Sequence, residues 1–128
     1  MKRQNISSNT KYEDIVGYSR AVRIGNIIEV AGTTALDGGT VIAPKNAYEQ
    51  TKFIFQKIEK ALQEAGANLQ DVVRTRMFVT DIAYSDDVGR AHSEFFKDIR
   101  PAATMLEISK LVDDDLVVEI EVTAIIEG

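Results

Sequence analysis

The sequence predicts one α+β domain, a mixed β-sheet with two helices on one face in the order β-β-α-β-α-β-β. Three observations lead there. The chain has 128 residues, a usual size for one domain, and no linker, repeat or low-complexity tract divides it, so residues 1–128 read as a single unit. Apolar residues make up 45% and charged residues 27%, the balance of an ordinary globular core and surface. Two stretches with apolar residues at three- and four-residue steps are set among β-rich stretches, and helices that segregate onto one sheet face build an α+β layer.

Residues 1–15 are polar and follow neither period, which predicts a loose N-terminal arm ending near Gly17. Residues 20–24 and 27–31 are β-rich and are separated by Gly25-Asn26, a hairpin signal. Asp37-Gly38-Gly39 marks a second tight turn, with Pro44 just beyond. Asn46 and Glu49 have capping-box spacing, and Thr51, Ile54, Phe55, Ile58, Ala61, Leu62 and Ala65 then recur on one helical face until Gly66 stops the helix. Residues 72–80 form a strand by their Val, Thr and Phe content. A second helix starts near Ser85, carries Val88, Ala91, His92, Phe95, Phe96 and Ile99 on one stripe, and ends at Pro101. Strands over 103–108 and 116–126 close the chain, joined by a solvated turn at Asp113-Asp114-Asp115.

Side chains two apart share a strand face. In the last strand Leu116, Val118, Ile120, Val122, Ala124 and Ile126 face the helices, leaving Glu119, Glu121 and Thr123 opposite. In the 72–80 strand Val73, Thr75, Met77 and Val79 face the helices, with Arg74, Arg76 and Phe78 opposite. In the 103–108 strand Thr104, Leu106 and Ile108 are expected to pack, with Ala103, Met105 and Glu107 facing away. The face away from the helices thus mixes arginines, glutamates and apolar groups. It reads either as a solvated face with weak ion pairs or as a surface that a partner subunit covers, where the charges would have to pair.

Twenty acids against 15 bases leave a net charge of −5, against the basic face that phosphate binding needs. The chain has no Cys and one His, which excludes disulfides, thiolate nucleophiles, Cys-type metal sites and two-histidine mechanisms within one chain. No apolar run approaches the ~20 residues of a membrane span and no signal-peptide pattern opens the chain, so a cytoplasmic protein is expected. Gly38-Gly39 is a turn without the Lys-Ser/Thr of a phosphate loop. The Asp113–Asp115 run lacks the alternating ligands of a calcium loop.

Gly25-Asn26 followed by Val30-Ala31-Gly32, then Ala65-Gly66, Val73-Arg74-Thr75-Arg76-Met77-Phe78-Val79, Phe95-Phe96, Arg100-Pro101-Ala102 and Val118-Glu119-Ile120-Glu121 are short motifs. In this order and spacing the chain, from about Val16 to Ile126, resembles the Rid (YjgF-type) family of reactive-intermediate deaminases. The resemblance implies a chorismate-mutase-like domain, a homotrimer with a ligand cleft at each subunit interface, and no metal or bound cofactor. It also implies hydrolysis of reactive enamines and imines to ketoacids and ammonia. Tyr18 matches the family's pocket tyrosine, and Glu119 its carboxylate, which positions or activates the attacking water. The family's clamp arginine, which grips a substrate carboxylate, falls at Ala103 here. That departure removes a bidentate anchor and makes the chain similar to a subgroup that lacks the arginine.

The candidate catalytic residue is therefore Glu119, and the candidate substrate-binding residues are Tyr18, Arg20, Arg76, Ala103 and Thr104, facing a small anionic metabolite. A carboxylate in a cleft needs a cation nearby, and Arg76, ahead of Arg20, is expected to supply it. Tyr18 and Arg20 also read as a plain hairpin-edge pair, Glu119 as a partner for an arginine, and His92 as a core histidine. Three functions follow: an imine or enamine hydrolase, weak on small imines for want of the clamp; a non-catalytic trimeric module binding a metabolite or a protein; and, least favoured by the acidic charge, a ribonuclease or translation inhibitor. No nucleic-acid or membrane partner is expected.

Overall fold

The computed structural model describes residues 1–127. A six-stranded sheet carries the fold. Its strands are β1 (Arg3–Ile6), β2 (Ala21–Ile24), β3 (Ile27–Thr33), β6 (Val72–Val79), β7 (Ala102–Glu107) and β8 (Val118–Ile125), and a two-stranded hairpin of β4 (Leu36–Asp37) and β5 (Thr40–Val41) lies apart from it. The spatial order is β1-β2-β3-β8-β6-β7. All neighbours are antiparallel except β6 and β7, so the sheet is mixed. The helices are α1 (Lys11–Val16), α2 (Ala47–Glu64) and α3 (Ser85–Phe96). Among the described residues no helix is long and apolar enough to cross a membrane.

The long helix forms where its apolar stripe and its cap agree. The Asn46 side chain accepts from the Glu49 N–H, and Thr51, Ile54, Phe55, Ile58, Ala61 and Leu62 are all buried. They pack over Ile28, Val30, Met77, Val79, Val118, Ile120 and Val122 in one core. Gly66 follows at φ 90°, the left-handed conformation that suits glycine. In α3, Val88, Ala91 and Phe96 are buried, and Phe96 meets Phe55 edge-on at 5.0 Å between ring centroids.

Two expectations need correction. The N-terminal arm is not loose: residues 3–6 pair with β2 as an edge strand, and α1 follows. Neither element has a periodic signal long enough to read, because a polar side-chain network orders the segment. Glu13 is buried, and its carboxylate accepts from the Ser8 N–H and hydroxyl and from the Thr10 hydroxyl. The tight turn expected at Asp37-Gly38-Gly39 is present and joins β4 to β5 in the hairpin apart from the main sheet. In β6, a register irregularity between Val72 and Arg74 puts Val72 in the core and leaves Val73 43% exposed. An inserted residue of this kind breaks simple alternation.

Candidate active site

Helix α2, with α3 packed beside it, covers one sheet face, and the other is open. Cross-strand partners share a face, so the register lays the open face out as a grid. Phe78 stands beside Glu119 and Leu106, Arg76 beside Glu121 and Thr104, and Arg74 beside Thr123 and Ala102. Thr123 in turn stands beside Glu29, and Ile125 beside Ile27.

This register overturns the expectation for β7. Thr104 and Leu106 lie on the open face with the arginines, whereas Ala103 is paired with the fully buried Thr75 and Met105 with the core residue Met77. The strand is an edge with both faces partly exposed, so its alternation is weak, and a one-residue slip exchanges every side chain between faces. Consequently Ala103 and Glu119 of one chain point to opposite faces.

Glu119 sits where β8 meets an irregular stretch of β3. Pairing between β3 and β8 shifts between Val30 and Thr33, and Gly32 lies inside the shift. A Cβ built on Gly32 would stand 2.8 Å from Glu119 Oε2; only a residue without a side chain leaves the carboxylate that position. Burial pushes the Glu119 carboxyl above the ordinary carboxylate value, the like charge of Glu121 adds to the rise, and Arg20 opposes it. Arg20 is held in place by its own bonds. Its Nη2 donates to the Gly32 carbonyl at 2.9 Å, its guanidinium carbon lies 5.8 Å from the Tyr18 ring centroid, and its carbonyl accepts from the Ala31 N–H. Tyr18 follows Gly17, whose φ of 85° ends α1.

The structure therefore brings Tyr18, Arg20 and Glu119 to one corner, built around Gly32. It does not bring Arg76 to Glu119. The Arg76 guanidinium faces Glu121, 3.9 Å away, because those two residues are direct cross-strand partners while Glu119 is partnered by Phe78. The cation at Glu119 is Arg20, the second choice from sequence. Arg76 and Tyr18 instead line a depression of about 470 Å3 on the open face, with Glu29, Glu121 and Thr123. Thr104 accepts a 2.6 Å hydrogen bond from Arg74 Nη2.

Lys57, which the sequence reading did not single out, stands behind the corner. Its ammonium donates to the Leu36 carbonyl at 2.8 Å; burial lowers its affinity for a proton and the charge of Arg20 lowers it further. It flanks the apolar stripe of α2, so no periodic signal marks it. A glycine inside a strand was the signal available for Gly32. His92 is a packing residue: Nε2 lies 3.0 Å from the Thr75 hydroxyl, and the ring meets Phe55 edge-on. Among the described residues no group of three or more His, Cys, Asp or Glu side chains is placed to hold a metal ion.

Comparison with known proteins agrees with this architecture. The family model described as Endoribonuclease L-PSP matches residues 9–126. A crystal structure from Mycobacterium tuberculosis, of a member of the highly conserved YjgF/YER057c/UK114 family, is 44% identical and superposes with a TM-score of 0.89, covering 98% of this chain and 100% of that one. A RutC family protein of Pyrococcus abyssi is 34% identical over 125 residues, 97% of this chain and 98% of that protein. The 3-aminoacrylate deaminase RutC of Acinetobacter baylyi is 31% identical over 104 residues, 80% of this chain and 82% of its own length.

Proposed function

The chain belongs to the YjgF/YER057c/UK114 family, and on that premise we propose that it is a small-molecule hydrolase acting on reactive imines or enamines in clefts between the subunits of a homotrimer. The observation that carries the reading is the Glu119 carboxylate, seated over Gly32 with Arg20 beside it and a proton affinity above the ordinary. Such a group keeps a proton to higher pH than an ordinary carboxylate does and can exchange it with a substrate or a water.

The chemistry assigned to these residues is short. An enamine takes a proton on carbon to become an iminium, and protonated Glu119 is the donor in this reading. Ionised Glu119 then orients a water and accepts one of its protons as the water oxygen bonds to the iminium carbon. Glu119 returns that proton to nitrogen and takes the hydroxyl proton as the C–N bond breaks, which gives the carbonyl product and ammonia and leaves Glu119 protonated for the next turnover. Arg20 offers a cation to an anionic group on the substrate, and Tyr18 walls the corner beside it.

Because Ala103 and Glu119 of one chain point to opposite faces, a cleft that includes both is made by two chains, the β7 edge of one against the Glu119 corner of the next. The clamp position then carries only a methyl group, and the substrate carboxylate is gripped less firmly. Losing a charge-assisted bond in a dry site costs ~1.5–3 kcal/mol, roughly ten- to a hundred-fold in rate, so turnover of small imines is weak. The same feature favours a second reading, a trimer whose clefts hold a metabolite without turning it over. Mass spectrometry of the protein released from native conditions tests between them: a small molecule bound at one per chain, with no ammonia formed from freshly generated enamines, supports the binding module and opposes the hydrolase.

A further inference from the structure

The chain leaves the sheet at Ile6 and returns at Arg20, whose N–H donates to the Ile6 carbonyl at 2.8 Å. From Ser7 to Tyr18, between those points, every residue is exposed except Glu13, which is 6% exposed. Tyr12, Ile15 and Val16 of α1 turn outward and are 59%, 73% and 69% exposed. A helix of six residues is not stable by itself in water, so polar bonds must hold α1 where it is. Both ends of Glu13 supply them. Its carboxylate accepts from the Ser8 N–H and hydroxyl and from the Thr10 hydroxyl, which draws the loop before α1 onto the helix. Its backbone carbonyl accepts from the Gly17 N–H at 2.9 Å and the Tyr18 N–H at 3.1 Å, which turns the chain at the end of α1. Burial pushes the Glu13 carboxyl up, but hydrogen bonds from Ser8, Ser7 and Thr10 outweigh it and hold the group below the ordinary 4.5, so the network favours the ionised form. Tyr18 is thereby delivered to the depression lined by Arg76 and Glu121, its ring centroid 5.8 Å from the Arg20 guanidinium carbon.

We propose that Glu13 is the residue that positions Tyr18 in the site, by tying the Ser8–Thr10 loop to α1 and the end of α1 to Tyr18. The proposal rests on the reading of Tyr18 as a wall of the hydrolytic corner. Glu13 acts through the loop and not on the substrate. All of these bonds stay within residues 8–18, so losing the carboxylate should release this excursion and leave the sheet and its core intact.

Protein labelled with 3-fluorotyrosine tests it. The chain has four tyrosines, and the Tyr18 fluorine line is the one missing from Tyr18→Phe. In Glu13→Ala that line is expected to move at least halfway to its position in the unfolded chain, while the Tyr48 and Tyr84 lines stay in place. A Tyr18 line that keeps its wild-type position overturns the proposal. So does a spectrum in which all four lines move together, since Glu13 would then be holding the whole fold. If Glu13→Ala fails to fold, as judged by circular dichroism, Thr10→Val removes one donor and keeps the side chain's shape. The same selective shift, smaller in size, is then expected, and an unmoved Tyr18 line overturns the proposal. Ammonia release from 2-aminoacrylate at limiting supply is the second readout. Glu13→Ala and Tyr18→Ala should each lower it roughly tenfold, and the double variant should lose no more than Tyr18→Ala alone. A double variant that loses the product of the two contradicts action through Tyr18. A wild type that releases no ammonia overturns the hydrolase reading, and the fluorine spectrum then decides the role of Glu13 by itself.

Discussion

The Glu119 carboxylate occupies the space where a side chain at Gly32 would begin, with Oε2 2.8 Å from the position of a Cβ there. The two residues come from adjacent strands and meet because β3 slips against β8 at this point. The contact ties a backbone irregularity to the carboxylate that the proposed hydrolysis assigns as its proton carrier.

Gly32→Ala is expected to push Glu119 aside without unfolding the chain. The obstructing group is the far end of a flexible side chain, so stability should fall by no more than about 1 kcal/mol, whereas hydrolysis should fall to the level of Glu119→Gln. Thermal melts and ammonia release measured on the same preparations check this. Full activity in Gly32→Ala would detach the corner from the chemistry.

Glu119 itself should cost the fold stability at neutral pH. Burial raises its carboxyl above the ordinary 4.5, so its contribution is most favourable below that value and is lost as pH rises through the folded pKa. Glu119→Gln is therefore expected to be more stable than the wild type at pH 7, with the difference closing as pH falls toward 4. Denaturant melts across that range read the effect directly. A variant less stable at pH 7 contradicts the burial argument.

His92 should show the opposite slope. Burial depresses its affinity for a proton below the ordinary 6.5, so its contribution is present above that value and is lost as pH falls through the folded pKa. His92→Phe keeps the aromatic packing but leaves the buried Thr75 hydroxyl without the ring nitrogen, at a cost of about 1–3 kcal/mol at pH 8. That deficit is expected to shrink below pH 6.5. A deficit independent of pH would mean that the ring is not desolvated in the fold.

Ala103→Arg restores a guanidinium at the clamp position, on an exposed edge where it fits without repacking. With 2-aminoacrylate generated in place by a dehydratase, turnover is expected to rise roughly ten- to a hundred-fold. No gain, in a variant that stays assembled, would show that the cleft is not completed by β7 of a neighbour.

Much of this fold is legible in the sequence because its strongest signals are local and agree with one another. The α2 stripe, the Asn46 cap and Gly66 define one helix from three independent features, and the alternation of β8 between Val118 and Ala124 carries directly into the burial pattern. Signals fail where tertiary context decides. Residues 3–6 are a strand only because β2 is there to pair with them, and α1 depends on the Glu13 hydrogen bonds. β7 has apolar residues on both faces, and the side Ala103 occupies is set by its register against β6. For the same reason parity alone puts Arg74, Arg76, Glu119 and Glu121 on one face without saying which pair. That choice follows from strand order and register, which assign Arg76 to Glu121 and leave Arg20 for Glu119.

The most direct test measures ammonia release from a freshly generated imine or enamine by wild type and Glu119→Gln at equal chain concentration. A modest acceleration over buffer is expected in the wild type, below that of a relative bearing the clamp arginine and assayed alongside, and it should vanish in Glu119→Gln. Equal rates in the two proteins would contradict a role for Glu119, and wild-type turnover matching the clamp-bearing relative would contradict the cost assigned to Ala103.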